Sequence, residues 1–443
     1  MFTQYAIRST QRFTFPAPRA IITLVKRASL PPQPRILCVK LADIGDVLLC
    51  TPAIRALRAR WPQAQIDLLA PPSSAAVLRH APELDETLVF NKFPFDTLGS
   101  LFDVETVAGA LGFLIGLARR RYDAILIFHH YTLRFGALKF AAVALASRAP
   151  VRAGLDTAGR GWFLTHKVAD RGFGVQHEAD YWLDVAAQAG SLPRPADRRP
   201  RLPLTAADHA AAAALLAELG LPGAGPLIAV HPGAGWYSPA RRWPAAHFSA
   251  LVHRLVRERG ADVLLLGGPD ETALTAEVRD GVPEGARMHV HAVAGRTTIA
   301  ATGALVQRCG LFIGNDSGPL HIATAVGTPA LGIFGLSNWQ AFGPYVPGDP
   351  TPQPPPLRRE GELDVDSPRS SAEESGGVSP SLRRGGGRGV GSAAIIRRDL
   401  PCQPCLYRGL DLGLREGCGP RPCLTGLRPD AVARAAYALL DEA

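Results

Sequence analysis

The feature that most constrains this fold is a repeated unit: a short apolar run, a turn rich in glycine and aspartate, then a helical stretch. Arg35 to Lys40 runs into Leu41-Ala42-Asp43-Ile44-Gly45-Asp46, and Leu227 to Val230 into His231-Pro232-Gly233-Ala234-Gly235. Asp262 to Leu266 runs into Gly267-Gly268-Pro269-Asp270-Glu271, and Leu311 to Ile313 into Gly314-Asn315-Asp316-Ser317-Gly318. Strands separated by helices pair in parallel through right-handed crossovers. The pattern restarts after the alanine-rich helix predicted over Ala206 to Leu219, so the chain reads as α/β, with two βα-wound domains joined between residues 195 and 225. In such sheets ligands bind beyond the carboxyl ends of the strands, where each of these turns falls.

Composition narrows the class. The 443 residues are 47% hydrophobic, ordinary for a soluble globular protein and enough for two or three domains. Seven cysteines, an odd number, with Cys38 and Cys50 in apolar runs, suit a reducing cytosol better than a disulfide framework. The formal charge of +9 is unevenly placed: Arg8, Arg12, Arg19, Lys26 and Arg27 lie within residues 1–34 and no acid does. That stretch reads as a basic, disordered leader suited to weak contact with an anionic membrane face. It carries no nucleic-acid-binding motif and no basic stripe with interleaved aromatics, so no nucleic-acid partner is expected. The longest apolar run, Val107 to Ala118, falls well short of the about 20 residues that span a bilayer. The expected location is the cytoplasm, peripheral at the inner face of the membrane. Residues 347–392 lose all periodicity and are rich in proline, glycine and arginine, the composition of a disordered insertion.

Two clusters carry candidate chemistry. Asp316, Ser317 and Gly318 lie on a tight turn that opens a short helix, with Pro319 just inside its start and Gly327 just past its end. Unpaired backbone N–H groups and the helix dipole favour an anion at such a terminus, although the same residues also suit an ordinary cap. His321 falls in the first turn, either on the same rim or simply on the helix surface. In the tail, Cys402, Cys405, Cys418 and Cys423 are spaced C-x2-C-x12-C-x4-C, which resembles a structural zinc knuckle; a reduced metal-free cluster and an iron–sulfur site are the alternatives.

The segments Ile44–Arg58, Arg120–Ile127, Gly267–Glu271 and Gly314–Pro329 together resemble glycosyltransferase family 9, the lipopolysaccharide heptosyltransferases. The resemblance runs from about Arg35 to Tyr345 and resumes near Ala393. It implies a GT-B fold, two Rossmann-like domains with parallel sheets facing across a cleft. It also implies inverting, metal-independent transfer of heptose or a related sugar from a nucleotide sugar, ADP-heptose first among donors. The implied acceptor is a glycolipid or glycan of the lipopolysaccharide-core kind, and no cofactor is required for catalysis. The domains are then an acceptor domain over 35–205 and a nucleotide-sugar domain over 206–346, the latter completed by the Cys-rich segment and last helix over 393–443.

Residue by residue, Asp46 matches the family's base, which takes the acceptor's proton as that oxygen attacks the anomeric carbon. From local sequence alone Asp46 reads instead as the N-cap of a helix over Val47 to Arg60. Lys40 matches the lysine ahead of the Gly45-Asp46 turn, or is a solvent-facing strand end. Ser317 and Gly318 supply a helix terminus, and Arg241 or Arg242 a cation, for the departing diphosphate. The family usually places lysine where this chain has Arg241, ahead of Trp243-Pro244; arginine grips phosphate bidentately. Asp316 and His321 match nucleotide-binding positions, and Glu271 is expected on ribose hydroxyls. His129 and His130, at the end of an N-terminal strand, are acceptor-side candidates. The insertion and the cysteine tail have no counterpart in the best-known enteric members.

Two rival readings are testable. A dinucleotide oxidoreductase needs G-x-G-x-x-G after a first strand, and neither half supplies it. A nucleotide-sugar-binding protein, or a transferase of different donor specificity, would bind sugar nucleotides without transferring heptose.

Overall fold

The computed structural model describes residues 29–92, 103–191, 198–221, 224–345, 383–385 and 392–442. Residues 1–28 of the basic leader and most of the predicted insertion lie outside the described residues. Strands β1 (Arg35–Val39), β2 (Gln65–Ala70), β3 (Glu86–Val89), β4 (Ala124–Ile127), β5 (Val151–Asp156) and β6 (His166–Ala169) form one parallel sheet, ordered β3-β2-β1-β4-β5-β6. The second sheet uses β7 (Leu227–His231), β8 (Asp262–Leu265), β9 (Val290–Ala292), β10 (Leu311–Asn315), β11 (Ala330–Phe334), β12 (Arg383–Gly385) and β13 (Ala393–Arg397). Its order is β12-β13-β11-β10-β7-β8-β9, parallel throughout except that β12, inside the stretch expected to be disordered, runs antiparallel to β13. The central strands β1, β4, β7 and β10 are buried almost end to end, which is why they read as continuous apolar runs and not as alternating ones.

Apart from β12, the two sheets share one winding, in which the direction of propagation reverses beside the first strand. Such a reversal leaves a crevice at the carboxyl ends of the two strands that flank it. The flanking pairs are β1/β4 and β7/β10. The Asp46 turn and His129-His130 follow the first pair, and His231–Gly235 and Asp316-Ser317 follow the second.

One helix expectation is corrected. Val47 to Arg60 is not continuous: helices Ile44–Leu48 and Thr51–Arg60 are separated by a break. Pro52 has no N–H for the carbonyl of Leu48, which accepts instead from Thr51 Oγ1 at 2.7 Å, so the second helix restarts with proline in its first turn. The helix thus begins before Asp46 and places that residue inside its first turn; Asp43 occupies the cap position and makes no side-chain cap bond. The cap reading of Asp46 is therefore overturned.

The halves share packing at their interface. Ile322 of helix Gly318–Val326 is buried in the same cluster as Val47, Leu48 and Trp182 of the first half. Helix Pro429–Leu440 buries Val432, Ala436 and Leu439 against Leu251 and Leu255 of helix Ala245–Arg259. Each such valine or leucine side chain contributes about 1.5–3 kcal/mol, alanine less. Trp243 is anchored to the tail, its indole N–H donating to the carbonyl of Leu427 at 2.9 Å. Among the described residues no helix is long and apolar enough to cross a membrane.

Candidate active site

On the first half, Asp46 is partly exposed and pairs with Lys40, Nζ to Oδ1 at 3.3 Å. Lys40 is not a solvent-facing strand end: it is buried, with its ammonium 4.2 Å from the centre of the Trp182 ring. Burial disfavours that charge, but the nearby Asp46 and Glu178 more than offset it and raise the Lys40 pKa. Behind this pair, His130 bonds Asp170 through Nδ1 and Glu178 through Nε2, each at 2.8 Å. Burial alone would lower the His130 pKa; the two carboxylates outweigh it and lift it to about 9. Both ring nitrogens of His130 are therefore engaged inside the protein. Only His129 of the pair keeps uncommitted ring chemistry at the cavity beside Asp46, and burial holds it well below the usual histidine range.

On the second half, Asn315 at the end of β10 joins three segments. Its amide nitrogen donates to the carbonyls of Pro232 and Gly233, both at 2.9 Å, and its oxygen accepts from the Trp243 N–H at 3.0 Å. Ser317 stands at the N-cap of helix Gly318–Val326 but makes no cap bond; its hydroxyl pairs with His231 Nδ1 at 3.1 Å. His231 Nε2 continues to Glu271 Oε2 at 3.0 Å. Burial would raise the Glu271 carboxyl, but His231, the Gly268 N–H and nearby Arg242 outweigh it and bring it down to about 2. Arg241 lies on a short turn, Nη1 3.4 Å from Asp316 Oδ2, with Nη2 donating to the Ala234 carbonyl at 2.8 Å. Arg242 is more exposed, 3.8 Å from Glu271 Oε1.

The two sets meet where the helices start. A Cβ on Gly45 would lie 2.6 Å from His321 Cδ2, and one on Gly318 would lie 3.5 Å from the Cβ of Ile44. His321 is thus pressed against the Gly45-Asp46 turn and is not a surface histidine; burial lowers its pKa to about 4, leaving a neutral ring at neutral pH. Glu271 differs from expectation in one respect. Its Oε2 is spent on His231 and Gly268, and only Oε1, closely packed over Gly233, lacks a hydrogen-bond partner. Asn315, His231 and the two partners of His130 (Asp170 and Glu178) are not assigned roles from sequence, and His130 itself reads there only as an acceptor-side candidate. The partners of each lie 40 or more residues away along the chain, and no local spacing reveals them.

The zinc expectation finds no support. Among the described residues no three His, Cys, Asp or Glu side chains are arranged to hold a metal ion. Cys423 is packed into the apolar core beneath the second sheet, with Cys405 against its edge, while Cys402 and Cys418 are exposed. Burial pushes the Cys423 thiol up to about 11, which favours the protonated, apolar form.

Two Rossmann-like sheets, with a carboxylate at one switch point and a cation-flanked helix terminus at the other, define a transferase of the GT-B architecture. The profile of glycosyltransferase family 9 (heptosyltransferase) matches residues 115–349, more than half of the chain, and the protein belongs to that family; it is a glycosyltransferase. It is 26% identical to lipopolysaccharide heptosyltransferase 2 of Salmonella typhimurium over 310 residues, covering 69% of this chain and 83% of the relative. Among solved structures, the E. coli ADP-heptose lps heptosyltransferase II superposes with a TM-score of 0.61 at 22% identity, covering 92% of this chain and all of that one. The E. coli heptosyltransferase WaaC with ADP-2-deoxy-2-fluoro heptose superposes at 0.53 and 20% identity, covering 72% and 95%.

Proposed function

We propose that the protein transfers heptose from ADP-heptose to an acceptor of the lipopolysaccharide-core kind, with inversion and without a metal. The observation that carries the donor side is a group of stranded polar atoms. Arg241 Nε, Arg242 Nε, Glu271 Oε1 and His321 Nδ1 are all buried without a hydrogen-bond partner, and all lie around the second switch point. Buried polar atoms in native proteins are nearly always paired, and although other unpaired ones occur among the described residues, four around one crevice support a polar ligand there. In this reading Arg241 and Arg242 neutralise the diphosphate, and the uncapped N–H groups at Ser317 and Gly318 receive its oxygens. Asp316 orients Arg241, His321 donates or accepts as a neutral ring, and Glu271 reaches the ribose through Oε1. The relatives support the donor, since the two E. coli structures are named for ADP-heptose and for an ADP-heptose analogue.

On the acceptor side, Asp46 removes the hydroxyl proton as the oxygen attacks the anomeric carbon; the C–O bond to the diphosphate breaks and the diphosphate leaves with its electron pair. Lys40, held by Trp182, fixes the Asp46 carboxylate, and Gly45 lets the turn approach His321. Residues 35–205 form the acceptor domain, and 206–346 with 393–443 the donor domain. Work at the inner membrane face, in contact with anionic lipid, completes the reading. The test is transfer from ADP-heptose to a heptose-free core acceptor in a chelator. Loss of transfer in Asp46→Ala with ADP affinity kept supports the assignment; full turnover in that variant refutes the base.

A further inference from the structure

Beside Asp46 lies a cavity of about 430 Å³, lined by none of the donor-side residues named above. Its volume falls within the about 300–1,000 Å³ of pockets that take small ligands. Helices Val104–Arg120 and Arg134–Ala146 supply Ala110, Leu114, Phe135, Phe140 and Val143 to its lining, and Trp236 comes from the second half. Lys92 and Lys139 are the lysines of the lining, and both act electrostatically on His129, which lines it too. The apolar character continues outward. On the same two helices Leu111 and Ile115 are more than half exposed, as are Leu138 and neighbouring Leu133. Helix Val104–Arg120 fully buries only Leu117. The two helices are packed on each other, so these exposed aliphatic side chains sit on neighbouring elements at the mouth of the cavity.

The lining is poorly suited to a polyhydroxylated ring. Most of the lining is apolar, and His130 already spends both nitrogens on Asp170 and Glu178. Apart from Asp43, Asp46, His129, Thr132 and the two lysines, a sugar drawn among the leucine and phenylalanine side chains would lose hydrogen bonds to water that the lining replaces only in part. A hydrocarbon loses none and gains the transfer free energy of its methylenes. We propose that this cavity binds the hydrocarbon chain of an anionic, amphiphilic acceptor. The chain lies along the two helices, the anionic group lies by Lys92 and Lys139, and the hydroxyl-bearing head reaches Asp46. The proposal rests on the reading of Asp46 as the base, because that residue makes the cavity an acceptor subsite.

The test is calorimetric titration of the full chain with dodecyl phosphate below its micelle concentration, against inorganic phosphate. The expected result is saturable one-to-one binding at least tenfold tighter than phosphate. Ala110→Trp and Ala142→Trp, which fill lining positions, should weaken it at least tenfold. An unchanged rise of melting temperature with ADP in both variants shows that they are folded. The proposal is overturned if dodecyl phosphate binds no tighter than phosphate, or if both tryptophan variants bind it like the parent. It is equally overturned if only anionic vesicles or self-association, and no monomeric amphiphile, engage the apolar helices. The titration involves no chemistry, so it separates the two readings. Binding with full turnover in Asp46→Ala removes the acceptor role and leaves a hydrocarbon site; no binding with an inactive Asp46→Ala removes the hydrocarbon site and leaves the base.

Discussion

The two faces of the cleft grow from the same winding of the same kind of sheet, yet they are finished in opposite ways. Beyond β7 and β10 the side chains are polar, buried and mutually bonded: Ser317 to His231, His231 to Glu271, Arg241 to Asp316. Beyond β1 and β4 the His130–Asp170–Glu178 set and Lys40 lie behind the surface, while Asp46 and Asp43 reach an open space that is otherwise largely apolar. Preorganised dipoles and cations are most effective where charge develops in a dry site, which suits a departing diphosphate. A largely apolar space with two carboxylates, Asp43 and Asp46, at its edge can position a hydroxyl and offers less to the rest of a polar ligand. The architecture is therefore shared, and under the proposed function the chemistry is divided between the faces.

The largest test of that division is Asp46→Ala, expected to lower transfer by about 10²–10⁴-fold, the usual contribution of a positioned base. ADP binding, followed by melting temperature, should not move; a parallel loss of ADP affinity would break the division between faces. Arg241→Ala should show the reverse pattern. Removing a buried cation that hydrogen-bonds a charged group costs about 1.5–3 kcal/mol, so ADP binding should weaken about tenfold or more while occupancy of the apolar cavity is kept. Gly233→Ala places a methyl 1.8 Å from Glu271 Oε1, and overpacking of that kind costs about 1–3 kcal/mol of stability, readable in urea.

The halves should also part company with pH. Glu271 titrates near about 2, below the ordinary glutamate value of 4.5, so its contribution to stability is complete above that value and is lost as pH falls toward 2. His130 titrates near about 9, above the ordinary 6.5, so its contribution is complete below 6.5 and is lost as pH rises through 9. Melting curves across this range should show Glu271→Gln flattening the acid limb alone. His130→Gln should flatten the alkaline limb together with part of the acid limb, because His130, against the opposing effect of burial, also holds the Asp170 carboxyl below its ordinary value. The smallest effect is expected of Arg242→Ala. At 3.8 Å from Glu271 and with a side chain 34% exposed, that ion pair contributes at most about 1 kcal/mol to stability.

Much of this was legible before the structure. The helix over Gly318–Val326, with Pro319 in its first turn and Gly327 left-handed at its end, follows the sequence reading, as does Ala206–Leu219 closed by Gly220. Cap and breaker residues act within one turn of the chain, so local sequence specifies them. The break at Pro52 is equally local, and the cap assignment of Asp46 fails separately, because the first helix begins at Ile44, three residues ahead of the expected start at Val47. Lys40 illustrates the other kind of failure. Its strand is evident from sequence, but Trp182, which covers it, lies far along the chain. The cysteine spacing does bring the four thiols near one another, but nearness does not set the inward geometry a metal ion needs: Cys423 packs into the core while Cys402 and Cys418 stay exposed.

By itself the sequence determined the parallel strands, the two-fold repetition of the winding, and the turns that had to carry the chemistry, because these follow from periodicity and from glycine and proline at fixed offsets. Only the tertiary structure decided that Gly45 and His321 would touch, that His130 would be held by two carboxylates, and that an apolar space would open beside Asp46. Those outcomes depend on contacts between segments whose separation in the chain leaves no mark on either one's local pattern.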